Sequence, residues 1–187
     1  MSDNGWIQTF TGRKMYPLRP LPTDIDILDI AHALAGKGRF ICHTKSFPVY
    51  SVAQHSILVS ELVPPQDALW GLMHDAGEAY LPDIARPYKS AVALRIGRRW
   101  VPFDEVEGAI LEAVATKYGM PCLMPSSVKQ ADLIALATEK RDLMGDEPEP
   151  WEALVGIVPL PGVILAWPAV VAKSRFLARW RQLRGAE

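Results

Sequence analysis

His74 and Asp75 are neighbours in the stretch Leu72-Met73-His74-Asp75-Ala76-Gly77-Glu78, and a second histidine, His55, lies upstream. An imidazole and a carboxylate on adjacent residues can both reach one ion. Glu78 follows His74 by four positions, which returns it to the same side if the segment is helical. Two nitrogen donors with oxygen donors suit a single divalent transition metal, Mn, Co, Ni, Fe or Zn, and leave room for an activated water. The chemistry implied is hydrolysis. Asp132 is a further candidate, because helical spacing sets Val128, Asp132, Ala135 and Glu139 on one face. Taken singly, an inward histidine is an ordinary hydrogen-bonded core residue and an inward aspartate an ordinary partner for arginine. Four such groups buried together ask for a shared counter-charge.

The elements that must position these residues read as helices. A first helix is expected from Thr23, whose hydroxyl can cap it, through Ile27, Ile30, Ala31 and Leu34, ending at Gly36 and Gly38. Arg39 to Val49 is a turn-rich loop carrying His43 and Pro48. The recurrence of Val52, His55, Val59 and Leu62 predicts a second helix over 51–63 with His55 on its inward face. Pro65 opens a third over 66–80, on which Trp70, Gly71, His74 and Glu78 share a face. Pro82 and Pro87 bracket a loop bearing Asp83, Arg86 and Lys89. Helices over 88–97, 103–118 and 126–145 follow, and Pro168 starts a last one that buries Phe176, Leu177, Trp180 and Leu183. Residues 5–18 form an extended arm or small hairpin. The expected architecture is all-α, one helical bundle over residues 1–187 with a short extended N-terminal arm.

Composition narrows the partners. A formal net charge of −1 gives no basic surface for gripping a nucleic acid polymer. Arg95, Arg98 and Arg99 read as a solvated helix face. Two distant cysteines, Cys42 and Cys122, make no disulfide framework, and with no secretory signal at Met1-Ser2-Asp3-Asn4-Gly5-Trp6 they imply reduced thiols in a cytoplasm. Ala153 to Ala172 is uncharged and long enough to span a membrane, but Pro159, Pro161, Gly162 and Pro168 interrupt it. A buried loop leading into the last helix is expected there, and no membrane association.

The order His55, His74-Asp75, Asp132 resembles the HD-domain metal-dependent phosphohydrolases. The runs Tyr50-Ser51-Val52-Ala53-Gln54-His55-Ser56 and His74 through Lys89 are similar to its small 5′-deoxynucleotidase-like branch. That branch includes deoxynucleoside monophosphatases and phage enzymes that convert dATP to deoxyadenosine and triphosphate. The resemblance implies that His55, His74, Asp75 and Asp132 are metal ligands. It makes Glu78 the catalytic carboxylate that orients or deprotonates water, the alternative being a carboxylate that holds His74 in one tautomer. Arg39 and Phe40 correspond to a family arginine–tryptophan pair that meets phosphate and sugar. Lys89, after Pro87, corresponds to a phosphate-contacting lysine, or else simply starts a helix. Asp83 would meet the ribose or cap its loop, and His43 either touches substrate or is an ordinary exposed histidine. The activity implied is phosphate release from deoxynucleoside 5′-monophosphates. A dNTP triphosphohydrolase and a non-catalytic nucleotide-binding regulatory domain are the alternatives, and the resemblance admits a homodimer.

Overall fold

The computed structural model describes residues 5–82 and 84–185 and is predominantly α-helical. Its helices are α1 (Ile27–Gly36), α2 (Val52–Leu62), α3 (Ala68–Met73), α4 (Arg86–Lys89), α5 (Phe103–Tyr118), α6 (Ser126–Leu143) and α7 (Ala169–Arg184). Two antiparallel hairpins accompany them, β1 (Ile7–Gln8) with β2 (Lys14–Met15), and β3 (Ala93–Ile96) with β4 (Arg99–Pro102). The apolar faces of the longer helices meet in a core built around Ile30, Leu34, Val59, Leu72, Phe103, Ile110, Val114 and Phe176. Here α2 packs on α1, α3, α6 and α7, which makes it the central element of the site.

The N-terminal arm is a hairpin, fastened by the buried Asp29 of α1, which accepts from the Thr11 amide at 2.7 Å and the Thr11 hydroxyl at 2.9 Å. Asp26, rather than Thr23, caps α1, accepting from the Leu28 amide at 2.9 Å. Pro22–Asp24 forms a separate 3-10 turn, and the extended backbone of Ile25 and Asp26 divides it from the helix. Ser51 caps α2 by accepting from the Gln54 amide.

Three further expectations fail. The segment expected as one helix over 66–80 breaks after Met73, and a 3-10 turn over Ala76–Ala79 carries Glu78. Asp75 at the break has φ −102° and ψ 12°, outside the α region. Residues 88–97 are not a helix. Leu94, Ile96 and Val101 alternate inward, and Gly97 at φ 61° supplies the positive dihedral that a two-residue hairpin turn requires. Arg95, Arg98 and Arg99 therefore sit on a hairpin rather than a helix face. The segment leading to α7 is not buried either: Val155, Val158, Val163 and Leu165 are exposed. Its backbone is tied down instead, Gln54 donating to the Leu165 carbonyl and accepting from the Trp167 amide, both at 2.8 Å. Pro168 precedes α7, which buries Phe176 and half-buries Leu177, Trp180 and Leu183. No helix among the described residues is long and apolar enough to cross a membrane.

The α2–α3 contact sets the two site histidines against each other, and it depends on Gly71. A Cβ there would lie 2.8 Å from the Ser60 Cα and 3.1 Å from the Val59 carbonyl oxygen, both backbone atoms that cannot rotate away. Gly71→Ala is therefore expected to destabilise the fold by about 1–3 kcal/mol, as overpacking does. Because α3 must shift, His74 moves relative to His55. A denaturant melt paired with a metal titration checks both effects.

Candidate metal centre and cavity

His55 on α2 is fully buried, and its two ring nitrogens have different neighbours. Nδ1 lies 2.6 Å from Oε1 of the fully buried Glu139 on α6. Burial alone would raise the Glu139 carboxyl, but the Arg39 guanidinium, His55 and the Tyr50 hydroxyl hold it down to about 2. Glu139 is thus an acceptor, so the proton of neutral His55 is on Nδ1 and Nε2 presents a lone pair. His74, just past the end of α3, is fixed in the same sense, because its Nδ1 faces the Gly71 carbonyl at 2.8 Å. Its Nε2 is also bare. These two Nε2 atoms stand 3.1 Å apart; with both rings neutral two lone pairs face each other, an arrangement that only a shared proton or a cation between them relieves.

The carboxylates add to this convergence of acceptors. Asp75 Oδ2 lies 3.3 Å from His74 Nε2 and 3.6 Å from His55 Nε2, and Asp132 Oδ1 lies 3.2 Å from His55 Nε2. Asp75 Oδ2 is buried without a hydrogen-bond partner. His55, His74 and Asp75 have their donor atoms within 4.8 Å of one another, a group that could hold a metal ion. Asp132 reaches this triad through His55. The cluster recruits positive charge: burial and Arg39 pull His55 down, yet Glu139 and Asp132 raise it to about 9. Burial would lift both aspartates, but the histidines and Arg39 hold Asp75 low and Asp132 well below the usual carboxylate range. A cation held by His55, His74 and Asp75, with Asp132 beside His55, is compatible with this geometry.

A cavity of about 740 Å³ opens over this cluster, lined by Asp75, Asp132, Arg39, Phe40, Glu78 and Lys89 among others. Arg39 follows Gly38 out of α1, and its amide donates to the Tyr50 carbonyl at 2.9 Å. Its guanidinium places Nη2 3.0 Å from Glu139 Oε2 and Nη1 3.6 Å from Asp75 Oδ2, while Nε is buried without a partner. The pocket therefore holds an orphaned buried acceptor beside an orphaned buried donor. A cation suits the first and an anion the second. The next three residues, Phe40, Ile41 and Cys42, adopt left-handed φ values of 55°, 51° and 61°, a strained run for non-glycine residues. It presents Phe40 and Ile41 to the cavity, where Phe40 stands 6.1 Å from the Trp151 ring.

Glu78 faces the cavity from its 3-10 turn. Burial, helped by the Asp75 charge, pushes its carboxyl up to about 7 against the pull of Lys89, Lys37 and Arg39. Lys89 Nζ is 3.5 Å from Glu78 Oε1 and 2.9 Å from Glu107 Oε1. Lys37 Nζ donates to the Glu78 and Leu81 carbonyls and so pins the turn that carries Glu78.

The structure brings His55, His74, Asp75 and Asp132 together and lines one cavity with Arg39, Phe40, Glu78, Pro87 and Lys89. His43 is not brought in. It is exposed and absent from the cavity wall, because the left-handed run turns only Phe40 and Ile41 toward it. Asp83 lies outside the described residues. Four residues at the site had no assigned role in the sequence: Glu139, Glu107, Lys37 and Trp151. Of these only Glu139 left a signal, the face it shares with Asp132; Tyr50, which stands behind Glu139 and outside the cavity wall, appeared only in the run around His55.

No protein-family model matches the chain. It is 44% identical over 153 residues to the protein YfdR of Escherichia coli K12, covering 81% of this chain and 80% of that one. A Rhodobacter capsulatus protein is 35% identical over 151 residues, covering 75% of this chain and 74% of its own. Neither name carries an activity.

Proposed function

The chain belongs to the family of the Escherichia coli protein YfdR, and we propose that it is a metal-dependent phosphohydrolase of the HD-domain type that releases phosphate from deoxynucleoside 5′-monophosphates. The observation that carries this reading is the pair of imidazole Nε2 atoms facing each other at 3.1 Å, with Asp75 Oδ2, buried without a hydrogen bond, beside them and Arg39 Nε, likewise buried without one, in the same cavity. His55, His74, Asp75 and Asp132 would hold one divalent transition metal, Mn, Co, Ni, Fe or Zn. Such an ion supplies Lewis acidity toward a phosphoryl oxygen and toward water. Glu78, held close to neutrality by its surroundings, takes the proton of the attacking water. Arg39 offers its free Nε–H to the phosphoryl group, and Lys89 and Arg86 line the same cavity and add positive charge.

Charge favours a monophosphate over a triphosphate. Two of the three cations lining the cavity are already engaged, Arg39 by Glu139 and Asp75, Lys89 by Glu107 and Glu78. A triphosphate tail would bring further negative charge that only Arg86 is placed to meet.

The test is a product analysis. Protein loaded with Mn or Co is incubated with each dNMP, NMP and dNTP, and the products are separated by chromatography with Asp75→Ala as the blank. Nucleoside and single phosphate, strongest on deoxy substrates, supports the reading. Triphosphate release would replace it with the dNTP-removing activity, and no turnover above the blank would remove both. Phe40 and Trp151 give the cavity an aromatic wall for the base. Trp151→Ala is expected to raise KM for nucleotides about tenfold, by loss of ring contact, and to leave KM for a base-free phosphomonoester unchanged.

A further inference from the structure

Every donor that faces Glu139 comes from a residue of the site or from its neighbour. Oε1 accepts from His55 Nδ1 at 2.6 Å and from the Tyr50 hydroxyl at 3.0 Å, and Oε2 accepts from Arg39 Nη2 at 3.0 Å. The carboxylate is fully buried on α6, while its three partners lie on α2, just before α2 and just after Gly38. An acceptor on both oxygens has two consequences. It keeps a proton on His55 Nδ1, so that the neutral ring offers its lone pair on Nε2, toward His74. It also turns the guanidinium of Arg39 so that Nη1 meets Asp75 and Nε is left free in the cavity.

We propose that Glu139 is a positioning residue that sets both arms of the site from one side chain: through Oε1 it holds His55 in the metal-accepting tautomer, and through Oε2 it aims Arg39 at the anion. The first arm rests on the metal-dependent reading above. Carboxylates behind metal-bound histidines have this effect in general. The added element here is that the same carboxylate grips the cation facing the phosphoryl group, so metal and anion are organised by one residue.

Glutamine separates the two arms. An amide offers one acceptor oxygen and one donor NH2. Arg39 can only donate, so the carbonyl of Glu139→Gln stays with Arg39. Its NH2 then faces the Tyr50 hydroxyl, which can accept, and His55 Nδ1, which can accept only in the tautomer that carries its proton on Nε2. Alanine removes both contacts.

The experiment titrates metal-free wild type, Glu139→Gln, Glu139→Ala and Tyr50→Phe with Mn²⁺ by calorimetry. It then titrates the Co²⁺-loaded proteins with inorganic phosphate. Thermal melts confirm that each variant is folded, and if the alanine variant is not, the glutamine variant decides. Glu139→Gln should bind phosphate within about threefold of wild type while Mn²⁺ affinity falls about tenfold or more. Glu139→Ala should lose both, about 10–100-fold in Mn²⁺ affinity and about tenfold or more in phosphate binding. Tyr50→Phe should keep both within about threefold. Glutamine and alanine variants that melt lower but bind Mn²⁺ and phosphate like wild type would overturn the proposal, leaving Glu139 a core residue. Equal losses in Glu139→Gln and Tyr50→Phe would overturn it too, as general loosening. Wild type that binds no Mn²⁺ would remove the metal reading, and the first arm with it.

Discussion

Asp75→Ala is expected to abolish stoichiometric metal binding and to lower phosphate release by about 10³-fold or more, since a Lewis-acid contribution of several kcal/mol goes with the ion. The reason lies in the geometry. Asp75 Oδ2 is the buried acceptor with no hydrogen-bond partner, and it closes the group formed with His55 and His74. Removing it leaves two imidazoles and the more distant Asp132, too few oxygen donors to hold a hard or borderline divalent ion against water. Metal content by atomic spectroscopy and turnover on a dNMP check the two halves. Thermal melting adds a third measure. Wild type should melt higher in excess Mn²⁺, because binding to the folded state alone stabilises it, whereas Asp75→Ala should show no metal-dependent rise. A variant that still binds one ion per chain would remove Asp75 from the ligand set.

Glu78→Gln should do the reverse on metal, retaining it, while turnover falls about 10²–10⁴-fold, the range for loss of a positioned proton acceptor. Its pH dependence follows from the same environment. The carboxyl titrates near 7 in the folded chain against an ordinary 4.5, so the base form grows in as pH rises through that range. Wild-type kcat/KM should climb along this acid limb, and the glutamine variant should lack it. An ion on Asp75 offsets the charge that helps raise Glu78, so the limb moves lower in the loaded enzyme.

Stability has the opposite sign. A carboxyl raised on folding binds more protons in the folded than in the unfolded chain between about 4.5 and 7, so its contribution to stability is lost as pH rises through that window. Glu78→Gln should therefore melt progressively higher than wild type between pH 5.5 and pH 8. An equal difference at both pH values would mean that Glu78 is not held in this raised state.

His55 and Asp132 were legible in the sequence because they are polar groups at apolar helical positions, and His74 and Asp75 because they are adjacent in the chain. His55 falls at the inward spacing of Val52, Val59 and Leu62, and Asp132 at that of Val128 and Ala135. The fold class was legible for the same reason, and α5 spans 103–118 as its pattern predicts. Where local preference and tertiary context part, the reading failed. The helix expected through His74 stops at Met73, since the turn carrying Glu78 is fixed from outside by Lys37, a residue 41 positions away. The hairpin at 93–102 hides in a short apolar run that periodicity cannot distinguish from a helix. Trp151 left no trace at all, because nothing in a proline-rich segment says that it folds back over a distant loop.

The contact between Arg39 and Glu139 joins residues 100 positions apart, and that between His55 and Glu139 spans 84. Contacts of such range close only after the intervening chain has been ordered. A chain emerging from the ribosome through α3 already carries His55, His74 and Asp75, but not the carboxylates of α6 that orient His55 and complete the set. A metal ion taken up by this group would thus meet a nearly finished protein rather than guide its assembly.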